Sequence, residues 1–288
     1  LGAVIERLSG IPYNQYVMQN ILKPLGMTHS LFERDDYDKV EDKAVPYVIG
    51  AERREPASYV FNPVNAKGGL ISNVEDLGRY VCMHMNLGEL EGTRLISPES
   101  SKAMQTGHIR TGALDSPFDE ISYGYGLGIT DNFFGTKLVG HGGSVSISTS
   151  YIGFLPEKGV GVALITNGSG YSTQQFGQYA LAMLMGADPD TLPFVQKEKV
   201  YARLAGSYSG YRNTTQVSVK PAGDYLMLQL RDDRDALPAV PLTPVELGDK
   251  KCVFTTLSGG STLEVEFSVG DTYVSLLYER YGYRKPLD

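Results

Sequence analysis

The sequence predicts an α+β fold, an antiparallel sheet flanked by helices and followed by a small antiparallel β-barrel. Three observations carry this expectation. Helical spacing dominates the first part of the chain, β-type runs with tight-turn residues begin at Ile121, and short β-type runs recur after a proline-marked linker over residues 186–193. Two domains are therefore expected, residues 1–193 and residues 194–288. Charge divides the same way: residues 194–288 hold 12 basic and 12 acidic groups against 14 and 21 upstream, so all of the net −7 lies in the first domain.

The elements follow in order. Residues 1–8 carry apolar residues at helical spacing and end at Ser9-Gly10, a natural C-terminal stop. Residues 13–21 predict a second helix, closed by Lys23-Pro24-Leu25-Gly26-Met27. Residues 33–42 read as a charge-rich surface loop whose aspartates follow no metal-ligand spacing. Ser72 or Asn73 can cap a helix with Glu75 and Asp76 in its first turn and an apolar face of Leu77, Tyr80, Val81 and Met85. Ser97, with Pro98 at the first position, starts another helix that runs to about Met104.

From Ile121 the texture changes. The stretch from Ser122 to Ile129 alternates small and large residues, and β-type runs follow at 137–140, 148–155 and 159–166, the last two joined by the turn Pro156-Glu157-Lys158-Gly159. An antiparallel sheet is implied. Phe176, Tyr179, Ala180, Met183 and Leu184 then have the spacing of a helix packed on that sheet. Beyond the linker, six β-type runs at 206–211, 215–220, 225–230, 252–256, 262–269 and 272–278 predict a meander or small barrel.

Composition narrows the function. With 288 residues, 42% hydrophobic and 20% charged, the chain can bury a core without disulfide or metal staples. The net charge of −7 disfavours a phosphate backbone or an anionic membrane as the main partner, so no nucleic acid is expected. No apolar run approaches the roughly 20 residues that span a bilayer. Cys82 and Cys252 are no disulfide framework and are expected as buried thiols. The chain starts at Leu1 with no initiator methionine or signal-like start, so it is expected to be a fragment or processed product, and it carries no readable compartment.

Four histidines occur, His29, His84, His108 and His141, with no His-Glu-Xaa-Xaa-His or Cys-Xaa-Xaa-Cys, so neither a metal nor a cofactor is expected. No Gly-Xaa-Ser-Xaa-Gly elbow is present. The run Val139-Gly140-His141-Gly142-Gly143-Ser144 differs, because it sets an imidazole at a strand end between glycines. Bare backbone at Gly142 and Gly143 would let a substrate lie against the strand while His141 moves a proton. By residue type alone, a satisfied histidine in a glycine-rich hairpin explains the run as well.

A resemblance weighs between these readings. The series Leu1-Gly2, Ile5-Glu6, Ser9-Gly10, Pro24-Leu25-Gly26-Met27, Gly68-Gly69-Leu70-Ile71-Ser72, Asp76-Leu77, Ser97-Pro98, Tyr123-Gly124-Tyr125-Gly126-Leu127-Gly128 and Gly140-His141-Gly142-Gly143 closely resembles the serine β-lactamase-like family over residues 1–185. That family takes in penicillin-binding esterases, class C β-lactamases, D-aminopeptidases and CubicO-type peptidases. The resemblance implies an α/β β-lactamase-like fold and acyl transfer through a serine ester. Its members use a Ser-Xaa-Xaa-Lys nucleophile motif, a Tyr-Xaa-Asn motif and a Lys/His-Xaa-Gly motif, of which only the third stands here in family order. No lysine has a serine three residues before it, so no nucleophile lies in this chain, and the first two motifs are expected in a missing N-terminal segment. Tyr211-Arg212-Asn213 follows His141 and is out of order.

Carried over, the resemblance makes His141 the third-motif imidazole that holds substrate and shuttles protons. It has Gly142 and Gly143 keep the strand narrow and makes the Ser144 N–H an oxyanion donor. The Ser144 hydroxyl lacks a neighbouring base and is expected to be a loop serine. The implied partners are a small peptide, ester or β-lactam substrate. The tail resembles the lipocalin-like C-terminal module of CubicO-type peptidases, some of which form closed oligomers, which favours peptides as substrates and allows a homo-oligomer. An esterase or β-lactamase of the same fold, a degenerate binding or assembly module, and a barrel holding an apolar ligand are the competing expectations.

Overall fold

The structure, a computed structural model, describes residues 1–49, 53–59, 61, 65–111, 121–145, 147–170, 172–231 and 237–287. They form two units, Leu1–Pro189 and Asp190–Asp288. The division falls slightly before residue 194, because Pro193 opens a helix that belongs with the barrel.

In the first unit, α1 (Gly2–Ser9) stops where Gly10 adopts φ 75. Helix α2 (Tyr13–Val17) runs on into a π-helical turn, Met18–Leu22. The segment expected as a loop instead holds α3 (Arg34–Lys39). Asp35 and Asp36 sit in its positively polarised first turn, and the pairs Arg34–Asp38 and Lys39–Asp36 bridge its surface. Strands β1 (Tyr47–Ile49) and β2 (Arg54–Pro56) pair with each other, and α4 (Asn65–Gly68) follows. Helix α5 (Val74–Met85) is capped by the Asn73 side chain, which accepts from the Asp76 N–H. After the small hairpin of β3 (Glu89–Leu90) and β4 (Thr93–Arg94), Ser97 accepts from the Ser100 N–H and caps α6 (Pro98–Met104).

The sheet holds β5 (Ile109–Arg110), β6 (Ser122–Tyr123), β7 (Gly128–Phe133), β8 (Thr136–Val145), β9 (Ser148–Leu155) and β10 (Val160–Thr166), in the order β10-β9-β8-β7-β6-β5 and antiparallel throughout. Side chains alternate faces along each strand. On one face, Val81 of α5 packs with Leu127, Ile129, Val139 and Phe154. On the other lies α7 (Thr173–Leu184), where Gly177 sits so close that an added Cβ would stand 2.4 Å from the Tyr151 ring.

That close approach reverses the expected orientation of α7. Its buried residues are Thr173, Gly177, Leu181 and Ala182, while Phe176, Met183 and Leu184 of the apolar stripe are 57–61% exposed. Small residues let the helix backbone approach the sheet, so the large ones point away. Cβ atoms at Gly140 and Gly153 would also strike the Tyr151 ring, which is thus held among three glycines.

The second unit opens with α8 (Pro193–Leu204), where only strand texture was expected. Eight antiparallel strands then close a barrel, two more than the sequence reveals. They are β11 (Gly206–Gly210), β12 (Thr215–Ala222), β13 (Tyr225–Arg231), β14 (Val240–Leu247), β15 (Lys251–Ser258), β16 (Ser261–Val269), β17 (Tyr273–Tyr278) and β18 (Tyr281–Pro286). The Lys285 ammonium donates to the carbonyls of Arg203 and Ala205 and ties β18 to the end of α8. Tyr208, Leu226, Leu228, Leu242, Phe254 and Phe267, each at most 1% exposed, fill the interior. This barrel is a packed core rather than a cup for an apolar ligand, which corrects that expectation. Cys252 is buried, but Cys82 is only half-buried, and both are free thiols.

Candidate active site

Strand β8 is longer than the run expected at 137–140: it continues through His141, Gly142, Gly143 and Ser144 to Val145. His141 therefore lies within a strand rather than at its end. Pairing with β9 persists to the last residue, with His141 opposite Ile152, Gly143 opposite Ser150 and Ser144 opposite Thr149. Pairing with β7 stops at Gly140, opposite Gly128, where β7 begins. One strand is thus interior in its first half and an edge in its second, and residues 141–145 are all exposed.

The hydrogen-bond alternation tells which main-chain groups face that edge. The Thr149 N–H donates to Thr166 Oγ1, and the Thr149 carbonyl accepts from the same hydroxyl, so Thr149 is bonded toward β10. In an antiparallel pair, the opposite residue then turns its own N–H and C=O away from β9. Ser144 is that residue, and by alternation Gly142 shares its direction. Both present main-chain donors and acceptors along the open edge, the arrangement an extended peptide can pair with.

Side-chain direction separates the two glycines. His141 and Gly143 share one sheet face with Val139, and Gly140 and Gly142 share the other. A Cβ at Gly140 would lie 2.6 Å from the Ile152 carbonyl and 2.7 Å from Tyr151 Oη, so the fold demands this glycine. At Gly143 the added carbon would meet Ser150 Oγ at 2.5 Å, a hydroxyl that can rotate, and at Gly142 it would meet nothing closer than 3.8 Å. Packing within the chain therefore requires Gly140, and leaves Gly143 bare on the face that carries the imidazole.

Sequence reasoning missed the partner of His141. The Tyr123 hydroxyl lies 3.1 Å from His141 Nε2, with the rings edge to face at 6.2 Å. Register aligns Tyr123 with Gly128 and Gly140 across β6, β7 and β8, one residue before His141 on the last of these strands. The signal available in the sequence was the run from Tyr123 to Gly128, in which the tyrosines are the large polar side chains. Tyr125, 62% exposed, packs against the His108 ring at 4.5 Å, and His108 Nε2 contacts the Ala103 carbonyl.

His84 is the opposite of His141. It is 1% exposed, sits between Tyr80 and Phe154, and neither ring nitrogen has a hydrogen-bond partner. Burial lowers its pKa to about 4. Among the described residues, no group of three or more His, Cys, Asp or Glu is placed to hold a metal ion, and no helix is long and apolar enough to cross a membrane.

Comparison with known proteins bears on this site. The structure of the octameric penicillin-binding protein homologue from Pyrococcus abyssi matches with a TM-score of 0.86 and 38% identity, covering 99% of this chain and 62% of that one. A class C beta-lactamase shares the fold, with a TM-score of 0.51 and 19% identity over 65% of this chain and 55% of that one. Penicillin-binding protein 4 of Amycolatopsis lactamdurans is 27% identical over 182 residues, 61% of this chain and 46% of that protein. The chain spans less than half the length of the curated relatives it matches. Residues 189–284 match the Pab87 octamerisation domain, and residues 1–184 match the family described as Beta-lactamase. The chain belongs to the beta-lactamase family, a family of serine hydrolases and penicillin-binding proteins.

Proposed function

We propose that this chain supplies the imidazole-bearing strand of a serine hydrolase that cleaves peptide bonds through an acyl-enzyme. The observation that carries the reading is the exposed ring of His141 beside the open edge formed by Gly142 and Ser144. A peptide lying antiparallel to that edge takes main-chain hydrogen bonds from β8. A serine hydroxyl from a Ser-Xaa-Xaa-Lys segment, absent from these 288 residues, adds to the scissile carbonyl. The C–N bond breaks as the amine leaves with a proton, and water then releases the acyl group. The Ser144 N–H stabilises the oxyanion, and His141 holds substrate and passes protons. Gly143 keeps the imidazole face clear; Gly142 turns its main chain outward.

The second unit serves assembly in this reading. Its filled interior and its match to an octamerisation domain favour a homo-oligomer built through the barrel. The test is a longer chain from the same coding sequence, carrying the serine segment, assayed on D-amino-acid peptides, short acyl esters and a chromogenic cephalosporin. Peptide turnover above the other two supports the reading, and His141→Ala should lower it about ten-fold or more. A coding sequence without Ser-Xaa-Xaa-Lys, or a folded His141→Ala variant with undiminished turnover, refutes it. In the first case the chain is a binding or assembly module.

A further inference from the structure

We infer that Tyr123 is a positioning residue for His141, whose phenol fixes the imidazole as its Nδ1–H tautomer and leaves Nδ1 as the donor that acts in the cleft. The inference rests on His141 being the cleft imidazole, yet it concerns a contact within this chain and can be read without any turnover. Tyr123 Oη is 3.1 Å from Nε2, and the His141 ring makes no other hydrogen bond among the described residues. In water the neutral imidazole of histidine favours the Nε2–H form, so an unassisted ring would present Nδ1 as an acceptor.

A phenol that donates to Nε2 reverses that preference, because the proton must then reside on Nδ1. The same contact survives protonation of the ring: Nε2 gains a hydrogen and donates, and the phenol oxygen accepts. A phenylalanine can do neither. Tyr123 thus holds one ring orientation through both charge states, and in each of them Nδ1–H is offered as a hydrogen-bond donor to bound substrate. Position supports this role. Tyr123 stands two strands away, on β6, so its aim is set by the sheet rather than by the exposed end of β8.

The test is side-chain nitrogen NMR on the 288-residue chain labelled with nitrogen-15, at a pH well above the imidazole range. Protonated and bare ring nitrogens resonate far apart, and only four histidines need assignment. In the wild type, His141 is expected as the Nδ1–H tautomer. In Tyr123→Phe, the ratio should move about ten-fold toward Nε2–H, the size expected from losing one side-chain hydrogen bond. Tyr125→Phe, which alters the tyrosine packed on His108, should leave His141 unchanged and serves as the fold control. Wild-type His141 in the Nε2–H form, or an unmoved ratio in a folded Tyr123→Phe chain, overturns the inference while leaving the hydrolase reading intact. A tautomer shift together with an inactive longer chain has the reverse meaning, sinking the hydrolase reading and keeping the contact.

Discussion

Acid should loosen the first unit through one residue, His84. Its ring is buried between Tyr80 and Phe154 with both nitrogens unpartnered, and desolvation lowers its pKa from 6.5 to about 4. A base whose folded pKa is depressed binds its proton first in the unfolded chain, so stability falls as pH drops from about 6.5 toward about 4. The full difference corresponds to about 3 kcal/mol, of which about 2 kcal/mol is already lost at pH 5. At an m-value near 2 kcal/mol per molar urea, the unfolding midpoint of this unit should drop by about 1 M between pH 7 and pH 5. His84→Leu removes the titrating ring and its two unsatisfied nitrogens. It should match or exceed the wild type at pH 7 and lose most of the pH slope. Parallel pH profiles for the two proteins, read by urea unfolding of Leu1–Pro189, would refute the reasoning.

Three further outcomes are expected. Gly140→Ala, whose methyl would strike the Ile152 carbonyl and Tyr151, should cost about 2 kcal/mol or more by chemical denaturation, whereas Gly142→Ala and Gly143→Ala should stay within about 0.5 kcal/mol. In the longer active chain, Gly143→Ala should lower peptide turnover about ten-fold, because its methyl rises on the imidazole face, and Gly142→Ala should not; equal effects would undo the face assignment. Asp76→Ala strips the buried carboxylate that accepts from Ser30 Oγ and the His29 N–H, and thermal unfolding should register a loss of about 2 to 3 kcal/mol.

Most local structure was readable from the residues. Asn73 and Ser97 declare two helix starts because a short polar side chain before an apolar run has one good use, accepting a bond from an orphan N–H. Where reading failed, a longer-range effect had intervened. Strand β14 was hidden by Pro241 and Pro244, residues that a strand tolerates only at edges or irregularities; here the register breaks between Pro244 and Glu246. Strand β18, with Gly282, Arg284 and Lys285, lacks the apolar alternation that marks the others. Helix α3 forms in a run of charges with no apolar face to announce it, because Tyr37 packs against Tyr59 and Phe61 from later in the chain while exposed ion pairs add only a little.

The candidate site divides along the same line. Residue type and spacing alone determined that a glycine-flanked imidazole stands in a β-rich stretch, that the chain is α+β with a strand-rich tail that is a meander or a small barrel, and which side chains of α7 share a face, since these follow from backbone preferences and periodicity. Tertiary structure decided that β7 ends opposite Gly140 and opens the edge beside His141, that Tyr123 reaches its Nε2, and that α7 turns Gly177 rather than Phe176 to the sheet. Periodicity groups residues onto faces, but only the packing of distant segments settles which face is covered and which edge is left bare.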